Sequence, residues 1–149
     1  MIALLLAVGA AQPLAPLDTH YSWQDAAQAI RLVETGGCAD QGRGAKGDGG
    51  NALGPFQIWK PYWTDAAERD PAVKAGSYAR CLRDLDYSRL VVRAYMRRYC
   101  PEQMKRLESG RATLVDLERV ARVHNGGPRG HLKKATLAYW AKIKKAVTR

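Results

Sequence analysis

A glycine-rich stretch restricts the fold of this chain more than any other feature. It covers residues 36–54, reads GGCADQGRGAKGDGGNALG and holds eight of the 14 glycines. Glycine loses more backbone entropy than any other residue when it is ordered, so a run this rich in glycine does not favour a helix. The stretch therefore predicts a loop or a small, irregular β-hairpin between one helix and a longer helical region.

A helix is predicted directly before this stretch. Ser22 or Asp25 is a suitable N-cap, because the side-chain oxygen of either residue can accept from a free amide of the first turn. Ala26, Ile30 and Val33 follow at i, i+4 and i+7 and give the helix one buried face. We expect the helix to run to about residue 35 and to end where the two following glycines adopt positive φ.

Further helices are predicted after the stretch. Gly54-Pro55 is expected to open a short helix, because proline fits the first helical turn. Another is expected to begin at Pro61 and to stop at Pro71. The longest is expected from about Tyr78 to Tyr99, where apolar residues keep a helical spacing. Later helices are expected over residues 101–108, 113–124 and 134–147, the last with Leu137, Trp140, Ile143 and Val147 facing inward. The pattern predicts an α+β fold in which helices dominate.

Length and the first residues predict the domain organisation. A chain of 149 residues suits one domain with one core. Residues 1–11 combine a short apolar run with small residues, as in a secretory signal, and the run is too short to span a bilayer as a helix. Residues 12–20 contain two prolines and are expected to be a linker, so that the domain covers residues 21–149. The protein is accordingly expected to be secreted or periplasmic, and to be a monomer.

The charge balance points to polyanionic partners. The chain has 24 basic and 14 acidic residues, a net charge of +10. A strongly basic exported protein is drawn to polyanions such as the anionic polymers of bacterial walls, although a basic surface can also serve solubility alone. Nothing resembles a helix-turn-helix or a base-stacking module, so no specific nucleic-acid partner is expected.

The three cysteines, Cys38, Cys81 and Cys100, have no metal-binding spacing. No metal or other cofactor is expected from this sequence. In an exported protein, the simplest arrangement is one disulfide and one free thiol, and the spacing leaves the pairing open.

Glu34 is a candidate general acid. It lies at the predicted end of the first helix, where the helix dipole is already negative, and two apolar residues precede it. Both surroundings disfavour the charged form, as an acid that works near neutral pH requires. An ordinary exposed glutamate in a last helical turn is the competing interpretation.

Glycoside hydrolysis usually needs a second carboxylate across the scissile bond. Asp48 is the candidate, because the glycines around it allow the backbone to approach a sugar closely. Asp40 is a weaker rival, and an ordinary turn aspartate is the alternative for Asp48.

Several motifs together resemble the invertebrate-type (destabilase) lysozymes. VETGG and GDGGNALGPFQIWKPYWTDA are similar to that family's V-E-S-G segment, loop aspartate, G-[YP]-F-Q-I-K and Y-W-x-D. RAYMRRY resembles N-Y-M-x-R-Y. ARVHNGGPRGHLKKATLAYWAKIKK resembles A-R-x-H-N-G-G-P-x-G-C-K followed by T-x-x-Y-W. The motifs occur in the family's order and cover residues 30–145.

The resemblance implies a lysozyme-like fold and hydrolysis of the β-1,4 bond next to N-acetylmuramic acid in peptidoglycan glycan strands. Glu34 matches the family's acid, and Asp48 matches its second carboxylate across a longer spacing than in the animal members. Retention of configuration is the outcome that the resemblance favours.

The same resemblance suggests substrate-binding residues. Gln57 is expected to bond an acetamido group, and Trp59, Tyr62 and Trp63 to stack on sugars, with core packing as the alternative for these aromatic residues. His124 and Asn125 are expected to reach the substrate, unless the segment that contains them only ends a helix.

The chain departs from the family at its cysteines. Ala66 and His131 stand where the family has cysteine, and only Cys38 and Cys81 match family positions, so that these two are expected to pair. Asn51 and Ala52 stand where some members have a serine linked to isopeptidase activity, and that activity is not expected here.

Two other functions compete with hydrolysis. A lytic transglycosylase would cut the same bond with Glu34 alone, and a non-catalytic wall-binding protein would keep the fold without the chemistry.

Overall fold

The computed structural model describes residues 19–147. The predicted signal, residues 1–11, and all but the end of the predicted linker, residues 12–20, lie outside the described part. Within that part, helices dominate and one small sheet follows the first helix, which confirms the predicted α+β fold class. No helix between residues 19 and 147 has the length and apolar character to cross a membrane.

Helix α1 covers Trp23–Thr35. Its start is fixed by a capping box, in which the Ser22 hydroxyl accepts from the amide of Asp25 and the Asp25 carboxylate accepts from the amide of Ser22. Its end differs from the prediction, because Gly36 keeps a right-handed conformation with φ −61°. The Thr35 hydroxyl instead donates to the carbonyl of Pro55 at 2.8 Å and joins the helix end to a turn between two strands of the sheet.

The glycine-rich stretch forms the predicted hairpin, and residues 58–59 beyond it add a third strand. Strands β1 (Lys46–Gly47), β2 (Ala52–Leu53) and β3 (Ile58–Trp59) are antiparallel in the order β1-β2-β3. The helix predicted at Gly54-Pro55 does not form. Gly54 has φ +68°, and a Cβ there would overlap the carbonyl oxygen of Cys81, so that residues 54–57 turn the chain from β2 into β3.

Helix α2 covers Lys60–Ala67, as predicted from Pro61. Pro71, predicted only to stop that helix, instead opens helix α3 (Pro71–Lys74), because the Asp70 carboxylate accepts from the amide of Ala72 and caps it.

The long helix predicted from Tyr78 to Tyr99 is interrupted. Tyr78–Leu82 form a 3₁₀ helix, and helix α4 begins only at Leu85 and runs to Tyr99. The Asp84 carboxylate accepts from the amide of Tyr87 at 2.8 Å, so that Asp84 caps a new helix instead of continuing the first.

The remaining helices follow the predictions closely. Helix α5 covers Pro101–Glu108, and α6 covers Leu114–Gly126 behind a Thr113–Asp116 capping box. The last predicted helix divides into a 3₁₀ turn at Lys134–Thr136 and helix α7 at Leu137–Val147. Leu137, predicted to face inward, is exposed because it starts the helix, whereas Ile143 is fully buried.

The core lies where the helices meet. Helix α1 packs on α7, α2 on α4, and α6 contacts both α5 and α7. The largest fully buried side chains are those of Phe56, Ile30, Ile58, Met96, Met104, Leu107, Leu117, Ile143, Val73, Val91, Val92 and Val120.

The three cysteines are all free thiols in the structure. The expected Cys38–Cys81 disulfide is therefore wrong for this structure: Cys38 is exposed, whereas Cys81 is fully buried in the core. Stability at this point depends on packing and hydrogen bonds, such as that from Ser88 Oγ to the carbonyl of Cys81 at 2.9 Å.

Candidate active site

One cleft brings most of the predicted site residues together. It has a volume of about 610 Å³. Its walls come from the end of α1, the sheet, α2, α4 and the end of α6. Seven of the predicted residues line it: Glu34, Asp48, Gln57, Trp59, Tyr62, His124 and Asn125.

Glu34 lies in the last turn of α1, and its side chain is 19% exposed. No basic residue occupies that turn to offset the negative end of the helix. The His124 imidazole lies beside it, with Nε2 3.4 Å from Glu34 Oε1. The carboxyl group thus meets the cleft while most of its surface is withdrawn from solvent.

His124 is held between Glu34 and Tyr62. Its side chain is only 4% exposed, and its Nδ1 lies 3.1 Å from the Tyr62 hydroxyl. Burial above all, followed by the nearby Tyr95, raises the pKa of Tyr62 well above its ordinary value, so that the phenol keeps its proton. The hydroxyl can therefore donate to Nδ1, which places the proton of a neutral imidazole on Nε2, the nitrogen that faces Glu34.

Tyr62 is fixed by a second aromatic residue. Its ring stacks on that of Tyr95 with centroids 3.6 Å apart and planes 12° apart. Because Tyr62 lies on α2 and Tyr95 on α4, the packing of these two helices determines where the hydroxyl points. The hydrogen bond between the Tyr62 hydroxyl and Nδ1 then orients the imidazole of His124 at the end of α6.

Asp48 lines the same cleft from the turn between β1 and β2. It is exposed, has φ +48°, and begins the 3₁₀ turn Asp48–Gly50 between β1 and β2. Its carboxylate has no hydrogen bond or ion pair with any residue of the described chain. An aspartate that is held by the backbone while its carboxylate stays free is available to a bound substrate.

Gln57 lies beside this turn with φ +49°. Its Nε2 donates to the carbonyl of Gly54 at 3.0 Å. Its Oε1 lies against Gly47, where a Cβ would overlap it. The carboxamide is thus oriented by the turn at the edge of the cleft.

Comparison with known proteins identifies the family. The family model described as Destabilase matches residues 20–146. The chain belongs to the destabilase family, the invertebrate-type lysozymes.

Individual destabilase relatives are similar at moderate identity. The lysozyme of Magallana gigas is 37% identical over 97 residues, which is 62% of this chain and 58% of that protein. The invertebrate-type lysozyme of Ruditapes philippinarum is 34% identical over 119 residues, which is 76% of this chain and 73% of that protein. The match thus spans less than two thirds of the Magallana gigas protein.

Solved structures of destabilase relatives share the fold. The crystal structure of Tapes japonica lysozyme superposes with a TM-score of 0.61 at 30% identity and covers 85% of this chain and 93% of that one. The predicted lysozyme-like fold is therefore confirmed.

Two predicted residues of this destabilase member lie outside the cleft lining. Trp63 donates from Nε1 to the Tyr87 hydroxyl at 2.9 Å and thus joins α2 to α4, which leaves it no part in the cleft surface. Asp40 is bound to Arg43 at 3.0 Å and is largely exposed. Of the two candidate second carboxylates, only Asp48 lines the cleft with Glu34. Trp59, which is 45% exposed, does line the cleft and offers a flat apolar surface to a sugar ring.

Two other residues were missed at the sequence level. Asp65 lines the cleft and accepts from the Tyr99 hydroxyl at 2.7 Å. The Tyr139 hydroxyl is buried without a hydrogen bond of standard geometry. Burial, followed by the negative charge of Glu34, raises the pKa of Tyr139 well above its usual range, which places this phenol close to the carboxylate. Both residues lie in motifs that carry the family resemblance, YWTDA and TLAYW, and nothing else in the sequence indicates that they belong to the site.

Within residues 19–147, no three His, Cys, Asp or Glu side chains are grouped so as to hold a metal ion.

Proposed function

We propose that the protein is a muramidase that hydrolyses the β-1,4 bond between N-acetylmuramic acid and N-acetylglucosamine in peptidoglycan. The observation that carries this proposal is that Glu34 and Asp48 line one cleft in a member of the destabilase family. The two carboxyl groups differ in surroundings, since Glu34 is mostly buried beside His124 and Asp48 is exposed. Such a difference suits one proton donor and one carboxylate that stays ionised.

In the proposed reaction, the protonated Glu34 gives its proton to the glycosidic oxygen as the bond to the anomeric carbon breaks. The Asp48 carboxylate stabilises the positive charge that develops on the sugar, or attacks the anomeric carbon to form a glycosyl-enzyme. The Glu34 carboxylate then takes a proton from a water molecule, whose oxygen bonds to the anomeric carbon. Where a glycosyl-enzyme has formed, this attack breaks the bond between the anomeric carbon and Asp48 and releases the carboxylate. Both carboxyl groups return to their first state, with retention as the expected stereochemistry.

The neighbours of Glu34 support this cycle. When Glu34 is ionised after the first step, Nε2–H of His124 and the hydroxyl of Tyr139 lie on the side where negative charge has formed. Asn125, Gln57 and Trp59 also line the cleft and suit the amide groups and faces of amino sugars.

The proposed setting is outside the cytoplasm, in the secreted or periplasmic space where peptidoglycan is exposed, and the protein is proposed to act as a monomer. Anionic wall polymers are a second partner that the net charge of +10 favours.

A turbidity assay on wall suspensions, followed by mass analysis of the products, tests the proposal. Glu34→Gln is expected to lose about 100- to 10,000-fold in rate, because general acid–base catalysis supplies about that much. Asp48→Asn is expected to lose activity with unchanged folding. Asp40→Asn is the matched control, because Asp40 lies outside the cleft lining, and it should keep full activity.

The products separate this proposal from its rivals. Reducing N-acetylmuramic acid ends are expected. Anhydro-muramic ends from wild type, with Asp48→Asn still active, would indicate a lytic transglycosylase. Binding to walls without any cleavage, unchanged in Glu34→Gln, would indicate a wall-binding protein.

A further inference from the structure

The positive charge of the chain is concentrated at one end of the sequence. Nine of the 24 basic residues and none of the 14 acidic residues follow Glu118. The rest of the chain, with 15 basic and 14 acidic residues, is almost neutral. The net charge of +10 is therefore a property of the last part of the chain and not of the whole surface.

Much of the segment that follows Glu118 is exposed to solvent. Helix α7 packs on α1 and α6 through its buried Ile143, so that the opposite side of the helix faces solvent. The turn before α7 is also exposed, apart from Thr136. We call the exposed residues of these two elements the C-terminal face: Leu132, Lys133, Lys134, Ala135, Leu137, Ala138, Ala141, Lys142, Lys144 and Lys145.

The composition of the C-terminal face is unusual for a solvated surface. It holds only leucine, alanine and lysine. Leu132 is 63% exposed and Leu137 is 47% exposed, and both belong to the five most exposed large apolar side chains of the described chain. Lys134, Lys142 and Lys145 have no acidic partner among the residues that the structure describes. A face that only attracted a polar polyanion would need the lysines but not the two protruding leucines.

We propose that the C-terminal face docks on an anionic lipid bilayer. Apolar side chains that enter the acyl boundary, surrounded by lysines that meet the headgroups, are the pattern by which amphipathic segments bind in the plane of a membrane. The four-carbon stems of the lysines add apolar contact while their charges stay at the headgroup level. This docking is separate from glycan cleavage, because none of the C-terminal face residues lines the cleft.

Flotation of the full chain with lipid vesicles tests the proposal. Wild type is expected to float with vesicles of phosphatidylcholine that contain about one third phosphatidylglycerol, and not with phosphatidylcholine alone. The double variant Lys142→Gln and Lys145→Gln is expected to lower the partition coefficient about 30-fold, because each basic residue near the bilayer surface contributes about fivefold. Leu132→Ser with Leu137→Ser is expected to lower it at least tenfold, and to do so even in moderate salt.

Matched controls separate this site from general effects. Arg69→Gln with Lys74→Gln removes the same charge from exposed residues near α3, and Val115→Ser removes the most exposed large apolar side chain, which lies on α6. Both controls should float like wild type. All variants change exposed residues outside the cleft, so unfolding temperatures and wall hydrolysis should stay unchanged. Glu34→Gln should lose hydrolysis yet float normally, which distinguishes failure of this proposal from failure of the proposed enzyme.

Three results would overturn the proposal. Equal flotation of the leucine variant and wild type would leave only charge, as for an anionic wall polymer. Equal losses in the lysine variant and its control would show an effect of net charge. Equal binding to neutral and anionic vesicles would show that the lysine charges do not contribute to binding.

Discussion

The Tyr62 hydroxyl lies 3.1 Å from Nδ1 of His124 and connects helix α2 to the end of α6 across the cleft. The other nitrogen of this imidazole faces Glu34, so a hydrogen bond donated by the Tyr62 hydroxyl to Nδ1 would place the proton of the neutral imidazole on Nε2, towards the carboxyl group. The orientation of the proposed acid thus depends on a residue in another helix. Such a residue acts through His124 and is not expected to touch the scissile bond.

Tyr62→Phe is expected to lower kcat about fivefold and to change KM little. The phenyl ring keeps the stack on Tyr95, so that the change removes only one hydrogen bond, which is worth about 1 kcal/mol. Initial rates of wall hydrolysis measure the effect. Tyr87→Phe is the control, because it removes the two hydrogen bonds of the Tyr87 hydroxyl, to the Val73 carbonyl and from Trp63 Nε1. Both lie outside the cleft, so the change should lower stability without lowering kcat. A Tyr62→Phe enzyme with normal kcat would show that the tautomer of His124 is set elsewhere.

Local signals in the sequence predicted much of the fold. The first helix followed from the Ser22 cap and the Ala26–Ile30 spacing, and the hairpin followed from the density of glycine. The break before α4 could not be predicted from apolar spacing, because that spacing continues through Asp84. The 3₁₀ helix ends there because Asp84 caps the next helix. Its carboxylate accepts from the amide of Tyr87, which a continuous helix would use for its own backbone hydrogen bond.

The site could be predicted only in part, for a similar reason. Ordered motifs indicated Glu34 and Asp48 without any knowledge of their spatial relation. Trp63 and Tyr62 are adjacent in the same motif, yet one faces Tyr87 and the other the cleft. Tyr139 is close to Glu34 only because α7 packs on α1, and such long-range packing leaves no mark in a local pattern.

The Arg106–Asp116 pair predicts a pH-dependent stability. The Arg106 guanidinium donates two hydrogen bonds to the nearly buried Asp116 carboxylate, at 2.9 and 2.6 Å, and is the main cause that lowers the pKa of Asp116. A lowered folded-state pKa means that the stabilisation is complete above the unfolded value of about 3.9. It is lost as the pH falls from there through the folded-state pKa.

Asp116→Asn is expected to lower the free energy of unfolding by about 1–3 kcal/mol at neutral pH, as is usual for hydrogen bonds to a charged group. Urea unfolding at several pH values measures it, and the difference from wild type should shrink below about pH 4. Asp86→Asn is the control, because Asp86 pairs with Arg89 while 90% exposed and should change stability by less than about 0.5 kcal/mol. A difference that stays constant down to the lowest pH would contradict the role of the charge.

Alanine at Gly54 should destabilise the protein much more than alanine at Gly49. Both have positive φ, of +68° and +65°, but a Cβ on Gly54 would overlap the backbone of Cys81, whereas one on Gly49 would meet nothing within 4 Å. Gly49→Ala should cost about 1–2 kcal/mol from backbone strain alone. Gly54→Ala should cost about 4 kcal/mol or more, because neither backbone segment can move without disrupting the turn into β3. Thermal unfolding of both variants measures the two losses of stability. Equal losses would show that backbone strain, and not the contact with Cys81, determines the effect at Gly54.

The three thiols should differ sharply in reactivity. Burial raises the pKa of Cys81 to about 12 and that of Cys100 to about 11, so that neither provides much thiolate at neutral pH. Cys38 is exposed. A disulfide-exchange reagent should therefore label one thiol quickly in the native protein and all three in denaturant. In Cys38→Ser the fast phase should disappear, and the intact mass should be that of a chain without a disulfide. A native protein with no fast thiol, and a mass lower by two hydrogens, would instead show that Cys38 is paired.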